Sequence, residues 1–140
     1  MVSLLDVNVL LALAWPNHQH HRLAETWFLR HAKSGWATCT LTELGFVRLS
    51  SNPAYSRNAV SPLDAIDLLA ELREIGEHQF WKTMPSALEL GGLPLAGHQQ
   101  LTDAILVVLA DQQQGRVITF DGGLRHYASS GQRVLVLEPS

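Results

Sequence analysis

The 140-residue sequence has little of what several common protein classes require. Its single cysteine, Cys39, can close no internal disulfide and offers no thiolate framework for zinc. Nothing therefore calls for an oxidising compartment, and a cytoplasmic setting is expected. Lysine is scarce: Lys33 and Lys82 stand against eight arginines, and neither completes a G-x-x-x-x-G-K-[ST] loop, which excludes a P-loop nucleotide enzyme. Charged residues make up only 16%, and 10 basic against 13 acidic side chains leave a net charge of −3. No overall basic field draws the molecule onto nucleic acid, so any such binding is local. The apolar stretch at the N-terminus is interrupted by Asp6 and Asn8, has no basic start, and does not read as a signal peptide. No uncharged apolar run reaches the roughly 18 residues of a membrane span, so no membrane association is expected.

What is present is apolar surface. At 46% hydrophobic residues, a chain of this length can bury a substantial core, and residues 1–140 read as one domain. Short β-branched or apolar runs at Val2–Leu5, Trp36–Thr40, Gln79–Lys82, Arg116–Phe120 and Arg133–Leu137 predict strands. Helical patterns fall between them, at Val9–Ala14, His18–Lys33, from Thr40 to Ser50, from Pro62 to about Ile75, and from Gln99 to Gln114, with a shorter one at Leu124–Ser129. Thr40-Leu41-Thr42-Glu43 has the spacing of a capping box. Ser61-Pro62-Leu63-Asp64 places an N-cap, a proline and an acid in the order that opens a helix. Strands alternating with helices imply an α/β fold, with a mainly parallel sheet covered on both faces.

In such a sheet, sites gather beyond the carboxyl ends of strands, where the strand order reverses. Asp6 follows the first strand, Glu43 lies in the first turn of the helix after the second, and Asp121 directly follows Arg116–Phe120. Asp103, in the first turn or so of the most apolar helix, can be packed to the same edge. Each acid also has a local reading: Glu43 as a capping-box partner, Asp103 as a first-turn helix acid, Asp121 as a turn former before Gly122-Gly123. If the four converge, two carboxylates 4 Å apart repel by roughly 4 kcal/mol even at an effective dielectric of about 20, so a divalent cation is required. All-oxygen ligation suits Mg2+ or Mn2+, and such a site serves phosphodiester hydrolysis.

Leu4-Leu5-Asp6-Val7-Asn8, Thr42-Glu43 with Arg48 beyond it, Leu101-Thr102-Asp103-Ala104 and Val117-Ile118-Thr119-Phe120-Asp121 together resemble the ordered motifs of the PIN-domain ribonucleases. The resemblance is nearest to the VapC toxins of bacterial type II toxin–antitoxin modules and spans essentially the whole chain. It implies a three-layer α/β/α fold with a mainly parallel five-stranded sheet, and an Mg2+- or Mn2+-dependent endoribonuclease acting on structured RNA such as tRNA or rRNA. It further implies that Asp6, Glu43, Asp103 and Asp121 form the catalytic and metal site, with Asn8 and Thr119 as polar neighbours that orient the acids. Arg48, about one and a half turns beyond Glu43, matches a family position and is the candidate substrate contact. A homodimer and a cognate VapB-like antitoxin are the implied partners. Gly122-Gly123 departs from relatives that carry a charged group there.

Two rivals remain on the sequence alone. Asp6-Val7-Asn8 after a strand also suits an aspartyl-phosphate enzyme or receiver domain, but neither lysine falls at the strand end that chemistry needs. The other rival is a catalytically silent PIN-like scaffold that binds RNA or a protein. His18, His20 and His21 lie at a helix start, with His18 and His21 one turn apart, and read as solvent-facing instead of zinc ligands, and His98 reads as a loop residue. Trp15, Trp27, Phe28 and Trp36 read mainly as core.

Overall fold

The computed structural model describes residues 1–139. Five strands, β1 (Ser3–Leu5), β2 (Trp36–Cys39), β3 (His78–Trp81), β4 (Arg116–Thr119) and β5 (Val134–Val136), form one sheet in the order β3-β2-β1-β4-β5. Every pairing is parallel. The first strand is therefore central, with Leu4 opposite Ala37 on one side and Val117 on the other. The reversal of strand order lies beside it, and this is where the carboxyl ends of β1 and β4 open a crevice.

Five helices cover the two faces. On one side α1 (Val7–Ala14), α2 (His21–His31), α3 (Thr40–Ser50) and α4 (Pro62–Leu72) enclose a core with Leu5, Trp36, Phe46 and Ile118. On the other, α5 (Leu101–Gln112), with 3-10 turns at Ala87–Leu90 and Gly122–Tyr127, packs on Leu4, Ala37, Val117 and Val134. Leu4 and Leu5 point to opposite cores, as the two-residue strand period demands. The expected three-layer α/β/α architecture is present, and its sheet is parallel throughout. Among the described residues, no helix is long and apolar enough to cross a membrane.

Most boundaries fall within a few residues of the sequence expectation, and the differences have local causes. The helix expected to run to about Ile75 stops at Leu72, because Glu74 and Ile75 donate to the carbonyls of Glu71 and Leu72 and tighten the last turn. Gly76, at φ 66°, then turns the chain against Ala32. The capping box expected at Thr40 with Glu43 is displaced by one residue. Cys39 is the N-cap, and its N–H donates to Thr42 Oγ1 at 3.0 Å. Glu43 is thereby left free of the cap. The expected helix at Leu124–Ser129 is a 3-10 turn, initiated by the Asp121 side chain accepting from the Gly123 N–H at 2.8 Å. Before α5, residues 98–100 form a 3-10 turn that the sequence pattern assigned partly to the helix.

The contact between α1 and α3 is close because position 45 carries no side chain: a Cβ there would stand 2.6 Å from Val7 Cγ2. Val7 is stiff about χ1 and sits next to Asp6, so it cannot give way without disturbing the start of α1. Gly45→Ala gains about 1 kcal/mol of helix preference but overpacks this contact at a cost of about 1–3 kcal/mol. A lower melting temperature is the expected result. The Val7→Ala/Gly45→Ala double variant should recover part of the loss, and purely additive effects would show that the contact is not what limits position 45.

Candidate active site

The crevice is built around one carboxylate. Asp6 ends β1, donates its backbone N–H to Ile118 O at 2.9 Å, and becomes the N-cap of α1. Its Oδ1 accepts from the Val7 N–H at 2.8 Å, and its Oδ2 accepts from Thr119 Oγ1 at 2.7 Å. Thr119 ends β4, is fully buried, and also accepts the backbone N–H of Asp121 at 3.0 Å. One hydroxyl thus ties the carboxyl end of β1 to that of β4.

Only 7% of Asp6 is exposed, and burial pushes its carboxyl above the usual range. The bonds from Thr119 and Val7 oppose that rise, while the charge of Asp121 adds to it. Asp103, in the first turn of α5, is half-buried. Burial first, then the charges of Asp6 and Asp121, push its carboxyl up to about 6. Asp121 is exposed. The structure therefore brings Asp6, Asp103 and Asp121 within reach of one another's fields, at the reversal of strand order.

Glu43 stands apart from these three. Its Oε2 accepts from Thr38 Oγ1 at 2.7 Å and pairs with Arg73 at 3.2 Å. Because the Thr38 hydroxyl donates to Glu43, it accepts from His78 Nε2 at 2.8 Å, which fixes the proton on that ring nitrogen. Burial, then the charge of Arg73, lowers His78 to about 4, so this ring is neutral at pH 7. Arg73 also lies over the Phe80 ring, 5.3 Å from its centroid. Sequence reading missed Thr38, Arg73 and His78 because their partners are 5, 30 and 40 residues away.

The other predicted residues are placed as follows. Asn8 lies in the first turn of α1, and its buried Oδ1 has no hydrogen-bond partner among the described residues. It contacts no acid by hydrogen bonding there. Arg48 is exposed on α3 and makes no ion pair among the described residues. Five positions on a helix place it about 140° round from Glu43. The histidine tract is not solvent-facing as expected: His21 bonds Ala12 O at 2.8 Å and pairs with Glu25 at 3.3 Å. His18 and His20 pack against Phe120, with ring centroids 6.4 and 4.9 Å away. His98 lies in an exposed turn, as expected.

The donors that Asp6, Asp103 and Asp121 offer are all carboxyl oxygens. That chemistry fits a hard divalent cation and does not fit zinc. Among the described residues, no three His, Cys, Asp or Glu side chains are gathered closely enough to hold a metal ion as they stand.

Residues 3–129 match the sequence model of the PIN domain family. The chain is 42% identical over 134 residues to Ribonuclease VapC39 of Mycobacterium tuberculosis, covering 94% of this chain and 96% of that one. It is 44% identical over 123 residues to Ribonuclease VapC38 of the same organism, covering 88% and 87%. Among solved structures, VapBC2 from Rickettsia felis, bound to a DNA fragment from their promoter, superposes with a TM-score of 0.62 at 12% identity, over 99% of this chain and 100% of that one. PAE2754 from Pyrobaculum aerophilum superposes with a TM-score of 0.59 at 17% identity, over 96% and 83%. These two structural likenesses concern the fold.

The raised carboxyl of Asp103 has a consequence for stability. A group that holds its proton more tightly when folded stabilises the native state at acid pH, and that contribution is lost as the pH climbs from about 4 to about 6. Asp103→Asn removes the repulsion, and solvent screening of a half-exposed group limits the gain to about 1 kcal/mol. Metal-free Asp103→Asn should melt about 3 °C above the native chain at pH 7.5, with the gap closing by pH 4. A difference independent of pH would show that Asp103 carries no such strain.

Proposed function

This chain belongs to the PIN-domain family and within it to the VapC type, and we propose that it is a metal-dependent endoribonuclease, the toxin of a type II toxin–antitoxin pair. The placement of Asp6, Asp103 and Asp121 within reach of one another's charges, which adds to the raised proton affinity of Asp6 and Asp103, is the observation that carries this reading. Such mutual repulsion is costly for a stable fold and is useful to a site that must capture a cation.

Asp6, Asp103 and Asp121 would hold Mg2+ or Mn2+, with Glu43 reaching it directly or through water. The Asn8 amide oxygen, buried without a hydrogen-bond partner two residues beyond Asp6, would be a further oxygen donor. When bound, the ion supplies an electrophile for a phosphate oxygen and an acidified water to attack phosphorus. The chain's own contribution is positional. Thr119 holds Oδ2 of Asp6 and the backbone of Asp121 at once, so the two acids keep their spacing. The cap bond from Val7 fixes the remaining oxygen of Asp6. Arg73 holds Glu43 by its charge until a stronger cation competes for it. Arg48, free on α3, is available to a phosphate of the RNA.

The substrate class we propose is structured RNA, tRNA or rRNA, cut by hydrolysis. A homodimer and a VapB-like antitoxin, whose binding silences the crevice, complete the proposal. The names of the curated relatives support the ribonuclease reading, and VapBC2 among the structural neighbours supports an antitoxin partner.

Purified protein with Mg2+ or Mn2+ is expected to make a few discrete cuts in tRNA or rRNA. These cuts should vanish with EDTA and in Asp6→Asn, while Asp6→Asn remains folded. Cuts that persist in Asp6→Asn would sink the assignment. Thr119→Val, which removes the shared hydroxyl and keeps the shape, should lower cleavage about 10–100-fold, as loss of a group orienting metal ligands typically does. Unchanged cleavage in Thr119→Val would show that the bridge has no part in catalysis.

A further inference from the structure

Of the four acids named for the site, Glu43 alone is in an ion pair among the described residues. Its partner, Arg73, directly follows the last residue of α4. Both hydrogen bonds that Glu43 accepts, from Thr38 Oγ1 at 2.7 Å and from Arg73 at 3.2 Å, fall on Oε2. Oε1 accepts none among the described residues. One oxygen of this carboxylate is therefore doubly engaged, and the other is spare.

The two ties differ in how readily they break. Thr38 is fully buried, and its single proton goes to Glu43 because its oxygen already accepts from His78 Nε2. The His78 ring is set edge-on against Trp36, with centroids 4.6 Å apart, and the Trp36 Nε1–H donates to Ile75 O at 2.7 Å. A chain of packed side chains thus holds the hydroxyl in place. Arg73 has no such backing. Its side chain is 39% exposed, and it reaches Glu43 through one guanidinium nitrogen. Phe80 offers it a second partner, since the guanidinium carbon lies 5.3 Å from that ring's centroid. Exposed ion pairs are weak because water screens them and side-chain entropy opposes them, and an aromatic face can keep a guanidinium that has lost its carboxylate. The cation is the exchangeable part of this network, and the hydroxyl is the fixed part.

The consequence is electrostatic. A divalent ion drawn to Asp6, Asp103 and Asp121 meets in Glu43 a carboxylate whose charge is already matched. It feels the full attraction of that charge only once the guanidinium withdraws.

We propose that Arg73 is a positioning residue that withholds Glu43 from the metal site, so that the three aspartates take the ion and Glu43 adds its charge only as the guanidinium leaves Oε2 for Phe80. This rests on the metal-dependent reading of the crevice and adds to it an internal competitor, which raises the ion concentration the site needs. Thr38 keeps the carboxylate in place meanwhile, so one counter-ion is exchanged for another without disordering the side chain.

The test is Mn2+ binding by the full chain without RNA, read from the loss of the free ion's electron paramagnetic resonance signal. Arg73→Met should bind Mn2+ about fivefold more tightly than the native chain, as the loss of a partly exposed competing pair allows. Arg73→Lys, which keeps the charge, should stay near the native affinity. In a Glu43→Gln background the Arg73→Met change should have no effect, because the carboxylate it competes for is gone. Melting curves establish that each variant is folded, and Arg73→Gln takes the place of Arg73→Met if the latter does not fold. Unchanged or weaker binding in Arg73→Met would overturn the inference. So would an equal gain with and without Glu43, which would show a general field effect of the arginine. If neither the native chain nor any variant binds Mn2+, the metal-site reading falls, and this inference falls with it.

Discussion

Asp6 has to do two incompatible things within one residue, and the arrangement of the crevice follows from how that conflict is met. It follows the central strand of a parallel sheet, where its surroundings are apolar, and it is an ionisable acid. Burial of an unpaired carboxylate is costly. The structure offsets the cost by giving each oxygen a donor, the Val7 N–H on one and the Thr119 hydroxyl on the other. These bonds do not cancel the penalty, since the carboxyl remains above its ordinary range. They do fix the direction in which it points. Thr119 must then be buried at the end of β4, α1 must begin immediately, and α3 must leave room for Val7, which is why position 45 is glycine.

Glu43 is held differently from the three aspartates. Its partners come from β2 and the end of α4, and they satisfy it with a cation and a hydroxyl. The aspartates are left with one another. A crevice whose acids are unequal in this way has a poised part and a stored part: the trio is short of positive charge, while the glutamate already has some.

Much of this was legible in the sequence, for physical reasons that differ from residue to residue. Asp6 stood out because a charge at the end of a short apolar strand has few innocent explanations, whereas Asp121 also reads as a turn former, and its side chain does accept from the Gly123 N–H. The N-cap at Ser61 was recognisable because its side chain and Pro62 act within a single turn, and the structure has Ser61 accepting from the Asp64 N–H. The cap of α3 was misread because the pattern favoured Thr40, whereas the neighbouring sulfur-bearing Cys39 takes the position and Thr42 closes the box. The network of Thr38, Glu43, Arg73 and His78 left no local trace, since it exists only once β2, β3 and α4 are packed together. The same holds for the loop of residues 51–60, whose turns are closed by side-chain-to-backbone bonds that leave no period in a sequence.

The register of the central strand also bears on when the protein can act. Ser3, Leu4 and Leu5 pair with Arg116, Val117 and Ile118, so the central strand waits for a partner 113 residues further along the chain before it is flanked on both sides. Closing so long a loop is slow compared with forming α1 or α3. Until β4 arrives there is no Thr119 beside Asp6 and no Asp121 across from it. A chain that still lacks β4 therefore has no assembled cleft, however completely α1 and α3 have formed.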